Sequence, residues 1–334
     1  MTNKFLSIIV VFLAFLAFLP ISAQVGFDLD ANNFFIELRP TNAPVPNQNI
    51  TAKLSTTSFD LNGARIIWTH NGRVSARGTG VREYGFTAGP LGSRESLAVS
   101  AIDANGLRHD TELSFVVSDV TMLWQTDTSI PYWYKGKALA SPKSAITVSA
   151  FPELISGGRK IPSSGLIFRW SLDDDFKQAQ SGTGKDIFRF GAGFSSGLAH
   201  SVSLEVSNID GSVSAKKSIN INIENPGVLI YEYDPLLGTK NNSAFGGQRS
   251  GIIFAGEEKS FIAHPFFFSP VNGGKNLEYG WGVNGQAAEP GEPSNILRLK
   301  TASDAGGRST IEVLIKNLSN ILQRANQSFS IDVL

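Results

Sequence analysis

Ala64-Arg-Ile-Ile-Trp68-Thr-His-Asn-Gly72 decides the fold, because the chain writes this stretch three times. The second copy is Leu166-Ile-Phe-Arg-Trp170-Ser-Leu-Asp-Asp174 and the third is Leu277-Glu-Tyr-Gly-Trp281-Gly-Val-Asn-Gly285. Read at a period of two, one face of the first copy collects Ala64, Ile66, Trp68 and His70. The same face of the others collects Leu166, Phe168, Trp170 and Leu172, then Leu277, Tyr279, Trp281 and Val283. That alternation marks a half-buried strand with an indole at its centre and a turn at its end. The tryptophans lie 102 and 111 residues apart, close to the roughly 100 residues of one β-sandwich. Trp68, Trp170 and Trp281 are therefore expected as equivalent core residues of three domains.

Working outward, the neighbouring segments support true repetition. Short alternating runs occur at 34–39, 50–54, 81–87, 96–102 and 111–117. They recur at 201–206 and 217–223, then at 310–315 and 329–333. Asn71-Gly72, Asp103-Ala-Asn-Gly106 and Asn208-Ile-Asp-Gly211 read as turns. Val99, Leu204 and Val313 follow their tryptophans by 31, 34 and 32 residues, so they share one place in the penultimate strand. With no long helical pattern, the chain reads as all-β, three tandem immunoglobulin-like sandwiches after an N-terminal signal helix. The expected divisions are a signal peptide over 1–23 and sandwiches over 24–120, 121–225 and 226–334. In such a fold the tryptophan strand is expected to face the penultimate strand across the core. Joins at Asp119-Val-Thr121 and Asn225-Pro-Gly227 are short enough to predict a stiff rod, roughly 30–35 Å per unit.

Composition narrows the class. Of 334 residues 42% are hydrophobic, enough for real cores, and 17% are charged, against roughly 25% in an average globular protein. Lys plus Arg equals Asp plus Glu at 29 each, which gives no electrostatic case for nucleic acid. Lys4, an uncharged apolar run over 5–19 and Ala23 before Gln24 read as a cleaved secretory signal. Fifteen apolar residues fall short of the roughly 20 that span a bilayer, although an uncleaved anchor is the alternative. Membrane contact is expected only through that segment, and the location is extracytoplasmic. The absence of cysteine fits an exported bacterial protein whose domains stand on hydrophobic cores, and it removes thiol nucleophiles and thiolate metal sites.

Tandem units ending their central strand in Trp-x-x-Asn/Asp-Gly resemble the bacterial Ig-like and polycystic-kidney-disease-type modules of surface proteins. More narrowly, Leu123-Trp-Gln-Thr-Asp127, Pro131-Tyr-Trp-Tyr-Lys-Gly-Lys137 and Tyr231-Glu-Tyr-Asp-Pro-Leu236 look like segments of uncharacterised exported proteins from small-genome bacteria. The resemblance covers most of the chain beyond the signal and is weakest in the first unit. It implies a surface location and brings no catalytic residue.

Few constellations suggest chemistry. Gly193-Phe-Ser-Ser-Gly197, with His200 nearby, fits the pattern of a hydrolase nucleophile elbow around Ser195. An elbow needs a helix to follow, whereas 200–206 reads as strand, so a loop between strands is the competing and better reading. Asp173, Asp174 and Asp175 are weak calcium candidates, since hard cations favour clustered carboxylates. The competing reading is a solvated turn, because the third unit has Asn284-Gly285 there. The four histidines show no zinc spacing, and His70 reads as a satisfied residue at the core's rim. Two aromatic clusters remain, Trp124 with Tyr132, Trp133 and Tyr134, and Phe266-Phe-Phe268. The first is the candidate binding surface for a protein or glycan, placed at the junction of units one and two, with core or inter-domain packing as the alternative. No cofactor is implied. The function expected is that of a non-enzymatic envelope or surface protein, a spacer, adhesin or assembly component. A secreted hydrolase or carbohydrate-binding accessory module is the alternative. Mass spectrometry of the protein from its native host is expected to find a chain beginning near Gln24, and a full-length membrane-embedded species would replace secretion with anchoring.

Overall fold

The computed structural model describes residues 33–246 and 250–334, so the signal peptide and its cleavage point lie outside the described residues. The described chain is all-β apart from three short 3₁₀ turns. It forms three sandwiches in series, each with its own hydrophobic cluster.

The first sandwich sets the plan. Its seven strands are Phe35–Arg39, Asn49–Ser55, Arg65–His70, Arg73–Thr79, Glu83–Thr87, Arg94–Ile102 and Arg108–Val116. Strands one, two and five form one antiparallel sheet, and strands four, three, six and seven form the other. The second sandwich repeats that order with Asp119–Thr126, Ala145–Glu153 and Ile187–Gly191 opposite Asp175–Phe176, Ile167–Leu172, Ala199–Ser207 and Ser214–Asn222. The fourth strand joins the tryptophan sheet, whereas in the constant-type immunoglobulin arrangement it joins the sheet opposite. The third sandwich divides its opening strand between both sheets. Gly227–Asp234 pairs antiparallel with Glu258–Phe266, while Gly251–Ile253 runs parallel to Arg324–Val333. Phe267, with φ +62, bulges the end of Glu258–Phe266. Phe261 and Ala263 face the main core there while Ile262 and Phe266 face outward, and the bulge turns Phe268 back into the core.

The tryptophans occupy equivalent places, 0%, 0% and 4% exposed for Trp68, Trp170 and Trp281. Each pairs in register with the expected partner: Trp68 with Val99, Trp170 with Leu204 and Trp281 with Val313. These are neighbours within one sheet, which corrects the expectation that the two strands face each other across the core. What lies across the core is the fifth strand. Tyr84 sits 5.8 Å from the Trp68 ring, and Phe188 stacks on Trp170 at 5.3 Å. In the third unit Ile296–Lys300 supplies Leu297 to the same cluster as Trp281.

Each of these three buried indoles finds an acceptor for its N–H. Trp68 Nε1 donates to the Val81 carbonyl at 2.9 Å, Trp170 to Lys185 at 2.8 Å and Trp281 to Ser294 at 3.1 Å. Each acceptor lies two residues before the fifth strand, so one bond ties one sheet to the entry of the other.

The strand end also repeats. The Asn71-Gly72, Asp173-Asp174 and Asn284-Gly285 pairs have φ of +48 and +77, +52 and +65, and +53 and +75, as two-residue hairpins require. The backbone N–H of Asn71, Asp173 and Asn284 donates to Ser96, Ser201 and Thr310 at 2.8 Å. Their side-chain Oδ1 accepts the N–H of the same residues at 2.9, 2.8 and 2.8 Å. The turn residue thus clasps the start of the penultimate strand.

The joins are strand-to-strand. Asp119, expected in a linker, already belongs to the second sandwich's first strand, leaving 117–118 between strands, and residues 223–226 separate the second and third units. Val116 of the first unit packs against the second unit's core. Replacing any of the three tryptophans by Ala is expected to destabilise its own sandwich by about 3–5 kcal/mol. Trp170→Phe keeps most of the volume and is expected to cost about 1–3 kcal/mol, since the Lys185 carbonyl loses its donor. Chemical denaturation checks both, and a loss below 1 kcal/mol for the Ala variant would contradict the burial.

Candidate functional site

Asp119–Thr126 carries the chain about 26 Å along the second sandwich, at ~3.3 Å per residue, away from the first join. Segment 127–144 therefore emerges at the far end and meets the third sandwich. Sequence adjacency to the first join is not spatial adjacency, so the aromatic segment belongs to the junction of units two and three instead.

The four aromatics enter different surroundings. Trp124 packs against the second core and is capped by Lys137, whose Nζ lies 3.2 Å from the ring centroid. Burial there holds the Lys137 amine below its ordinary pKa. Trp133 crosses to the outer face of the third sandwich's first sheet. It stands edge-on to Tyr231 at 5.2 Å, His264 at 5.6 Å and Phe266 at 6.1 Å. Tyr231, Ile262 and Ile296 are buried around it as a second small core. Burial pulls the His264 pKa below its ordinary value. Tyr134 meets Phe266 edge-on at 5.3 Å, and its ring covers Gly136, where a Cβ would fall 2.4 Å from ring atoms. Tyr132 is 92% exposed. Of the second cluster, Phe266 and Phe268 are buried and Phe267 is half-buried.

Polar groups lock the same junction. Ser129 donates its N–H to the Phe268 carbonyl, and its own carbonyl accepts from Phe267, both at 2.8 Å. Ser269 Oγ donates to Asp127 Oδ1 at 3.1 Å. Gln323, 0% exposed, reaches back into the second sandwich, where its Nε2 donates to Ser141 Oγ at 2.8 Å. Its Oε1 accepts from the Ser269 N–H at 2.8 Å and from Asn317 Nδ2 at 2.7 Å. Asn276 Nδ2 donates to Asn317 Oδ1 at 2.7 Å, and Asn320 Nδ2 to the Pro142 carbonyl at 2.9 Å. A buried network of this kind, in which Gln323, Asn317 and Asn276 bond on both their amide nitrogen and oxygen, fixes one relative placement. Sequence reading missed Gln323, Asn276 and Ser141, because single polar residues in different units carry no periodic signal. The only trace is the break in the strand pattern at Asn317-Leu-Ser-Asn320.

The carboxylates and histidines are engaged locally. His200 Nδ1 lies 2.7 Å from Asp173 Oδ2, and its Nε2 accepts the Gly193 N–H at 3.1 Å. Burial raises the Asp173 pKa, but hydrogen bonds from His200 and Ser201 outweigh it and hold the carboxyl below its ordinary value. Asp175 pairs with Lys177, and Asp174 fills the second turn position, so the three aspartates serve separate tasks. Ser195 sits exposed in the loop between Ile187–Gly191 and Ala199–Ser207, followed by a strand and not a helix. Neither nitrogen of His200 is engaged by it. In the first unit Glu95, 5% exposed, takes the place His200 holds in the second. Its carboxylate accepts from Asn71 Nδ2 at 2.7 Å and from the Gly89 N–H at 3.0 Å, and lies 2.8 Å from His70 Nε2. Burial opposes ionisation, yet these bonds hold the Glu95 pKa below its ordinary value. Among the described residues no three His, Asp or Glu side chains converge as a metal-ion group.

No protein-family model matches the chain, and no curated protein matches it. Among solved structures it is similar to the fibronectin(III)-like modules of Clostridium thermocellum CbhA, at 12% identity and TM-score 0.25, over 57% of this chain and 94% of that one. It is also similar to three N-terminal domains of the bacteriophage RB49 Highly Immunogenic Outer Capsid protein, at 12% identity and TM-score 0.25, over 90% and 98%. A 1.5-MDa bacterial ice-binding adhesin matches at 10% identity and TM-score 0.24, over 90% and 98%.

Gln323→Ala is expected to cost the junction about 1–3 kcal/mol by leaving the Asn317 and Ser269 donors short of an acceptor. Units two and three are then expected to melt as two separate transitions in calorimetry. An unchanged melting profile would show that the network does not couple them.

Proposed function

We propose that the protein is an exported, non-enzymatic surface protein, a stiff spacer that holds a protein- or glycan-binding face at the cell envelope. The observation that carries this reading is the junction of units two and three. A fully buried Gln323 and an aromatic anchor, Trp133, fix the neighbours, which a string of freely hinged domains has no use for. The commitment of side chains supports the same reading. Asp173, His200 and Glu95, the groups best suited to acid–base work, each hold a turn or loop in place.

Rigid scaffolds place binding on their loops and edges. Tyr132, 92% exposed against 38% for Tyr134, is the most exposed aromatic of segment 127–144 and stands beside two anchored rings, so its backbone is fixed while its ring is free. That combination suits a contact with a protein or sugar face. The N-terminal sequence supports export, and the resemblance to bacterial Ig-like modules supports a surface location.

Tyr132→Ser is expected to reduce attachment or complex formation severalfold in an envelope pull-down with no change in melting. Trp133→Ser is expected to uncouple units two and three instead. External protease on intact cells of the native host is expected to remove the protein. Full protection from that protease would contradict surface display. Hydrolysis of a polysaccharide or peptide, lost in Ser195→Ala, would contradict the non-enzymatic reading.

A further inference from the structure

Each fifth strand is the free edge of its sheet, and the three units treat that edge differently. In the second unit Gln180 covers it. Its side-chain amide accepts the Arg189 N–H and donates to the Arg189 carbonyl, both at 2.7 Å, as a neighbouring strand would. In the third unit the preceding loop bonds Ile296 both ways, its N–H to the Pro293 carbonyl at 3.0 Å and its carbonyl to the Gly291 N–H at 2.6 Å. The first unit has no such cover, because only residues 80–82 connect Arg73–Thr79 to Glu83–Thr87. Bonds from the Leu54 N–H to Arg82 and from the Ala88 N–H to Gln48 set the ladder. Glu83, Gly85 and Thr87 therefore turn their backbone groups away from the sheet. Among the described residues nothing bonds those groups.

The core beside this edge is open as well. Tyr84 and Phe86 stay half-buried, whereas Phe188 and Leu297, at the place of Tyr84, are 0% and 2% exposed. Arg73 and Arg77 on the preceding edge strand, and Arg82 at the entry of the fifth, make no ion pair among the described residues. Glu83 is the one acid on the two strands. The other border of the same sheet is closed, since Asn42 Oδ1 accepts the outward N–H of Leu38 at 3.2 Å.

We infer that the Glu83–Thr87 edge takes an added strand from a second copy of the chain, the segment Val25-Gly-Phe27-Asp-Leu29-Asp-Ala31. That segment lies outside the described residues, and its sequence alternates. Val25, Phe27, Leu29 and Ala31 are separated by glycine and aspartate at a period of two, the pattern of a strand with one apolar and one polar face. The apolar face suits the half-buried rings of Tyr84 and Phe86, and the two aspartates suit a border with three unmatched arginines. Backbone bonds give such a strand its attachment, and alternate side chains give it specificity. Two such edges pairing with each other would bring both sets of arginines together. The donor is a second copy because the chain enters its own sandwich at the opposite border of that sheet, where Phe34 is 3% exposed and packs on Phe59. A strand beside Glu83–Thr87 lies three strand spacings, about 14 Å, from that entry. With Ala31 on the edge, the three residue steps to Phe34 cover only about 11 Å. A strand that cannot serve its own copy serves the next, so the contact repeats head to tail. This goes beyond the surface reading above and shares no residue with the Tyr132 face.

Analytical ultracentrifugation of the chain beginning at Gln24 tests this, with two variants beside it. The unaltered chain is expected to form oligomers that grow with concentration. Phe27→Asp spoils the donor's apolar face at a position before the first described strand, and is expected to sediment as a monomer. Gly85→Pro removes an outward N–H and no ladder bond, at a residue without positive φ, and is expected to be monomeric with unchanged melting. Mixed together, the two variants are expected to form one-to-one dimers and nothing larger, since one keeps the strand and the other keeps the edge. If Gly85→Pro lowers the melting temperature, excess Phe27→Asp takes its place in the test. That variant accepts a strand but cannot donate one, so it is expected to shorten the oligomers of the unaltered chain. An unaltered chain that stays monomeric overturns the proposal. So do oligomers that survive Phe27→Asp, folded variants that stay monomeric when mixed, or oligomers that excess Phe27→Asp leaves unshortened.

Discussion

One hydrogen bond, made three times, holds the architecture together. Each buried indole stands in the sheet that pairs its strand with the penultimate one, and donates to a carbonyl two residues before the fifth strand of the sheet opposite. Hydrophobic burial alone leaves the relative slide of two sheets loosely defined, because apolar contact has no direction. A single N–H with one acceptor has direction. It sets where the fifth strand begins, and with it which face of Glu83–Thr87, Ile187–Gly191 and Ile296–Lys300 meets the core.

Around that fixed point the repeats vary their polar chemistry without varying its geometry. Asn71, Asp173 and Asn284 clasp the penultimate strand identically, but the residue just before the clasped position is Glu95, His200 or Ser309. Each bonds the clasping side chain through a different donor and acceptor combination. In the first two units the Gly89 and Gly193 N–H groups also bond this residue. A histidine beside an aspartate in one unit and a carboxylate beside an asparagine in the next are two solutions to one problem of turn closure. That equivalence accounts for polar pairs that otherwise resemble catalytic groups.

Much of this was legible in the sequence, and what was not has physical causes. The tryptophan strands and the register of Val99, Leu204 and Val313 stand out because burial on one face imposes a period of two. Their being neighbours in one sheet was not legible, since alternation reports which face is buried and not which strand lies alongside. Arg73–Thr79 escaped notice because it lies at a sheet edge with largely exposed side chains, so no apolar pattern marks it. Phe266 and Phe268 broke simple alternation through one residue of positive φ between them. The locking of units two and three was least legible of all. Its bonds join residues as far apart as Ser141 and Gln323, and its aromatic anchor leaves the first join along a strand as long as the domain.

The parallel pairing of Gly251–Ile253 with Arg324–Val333 has a mechanical meaning. Under tension along the chain, antiparallel neighbours joined by a hairpin open like a zipper, one bond after another. Parallel neighbours pulled in opposite directions carry the load in shear, with all their bonds strained together. Leu334 extends this seam, its N–H donating to the Ile253 carbonyl and its carbonyl accepting from Ala255. In the first two sandwiches the opening strand pairs antiparallel with the second, and the second sandwich has a single parallel bridge, Ala140 with Ile223, in place of the three-residue seam. A pulling force would therefore meet its stiffest resistance in the third sandwich, and the other two would yield first.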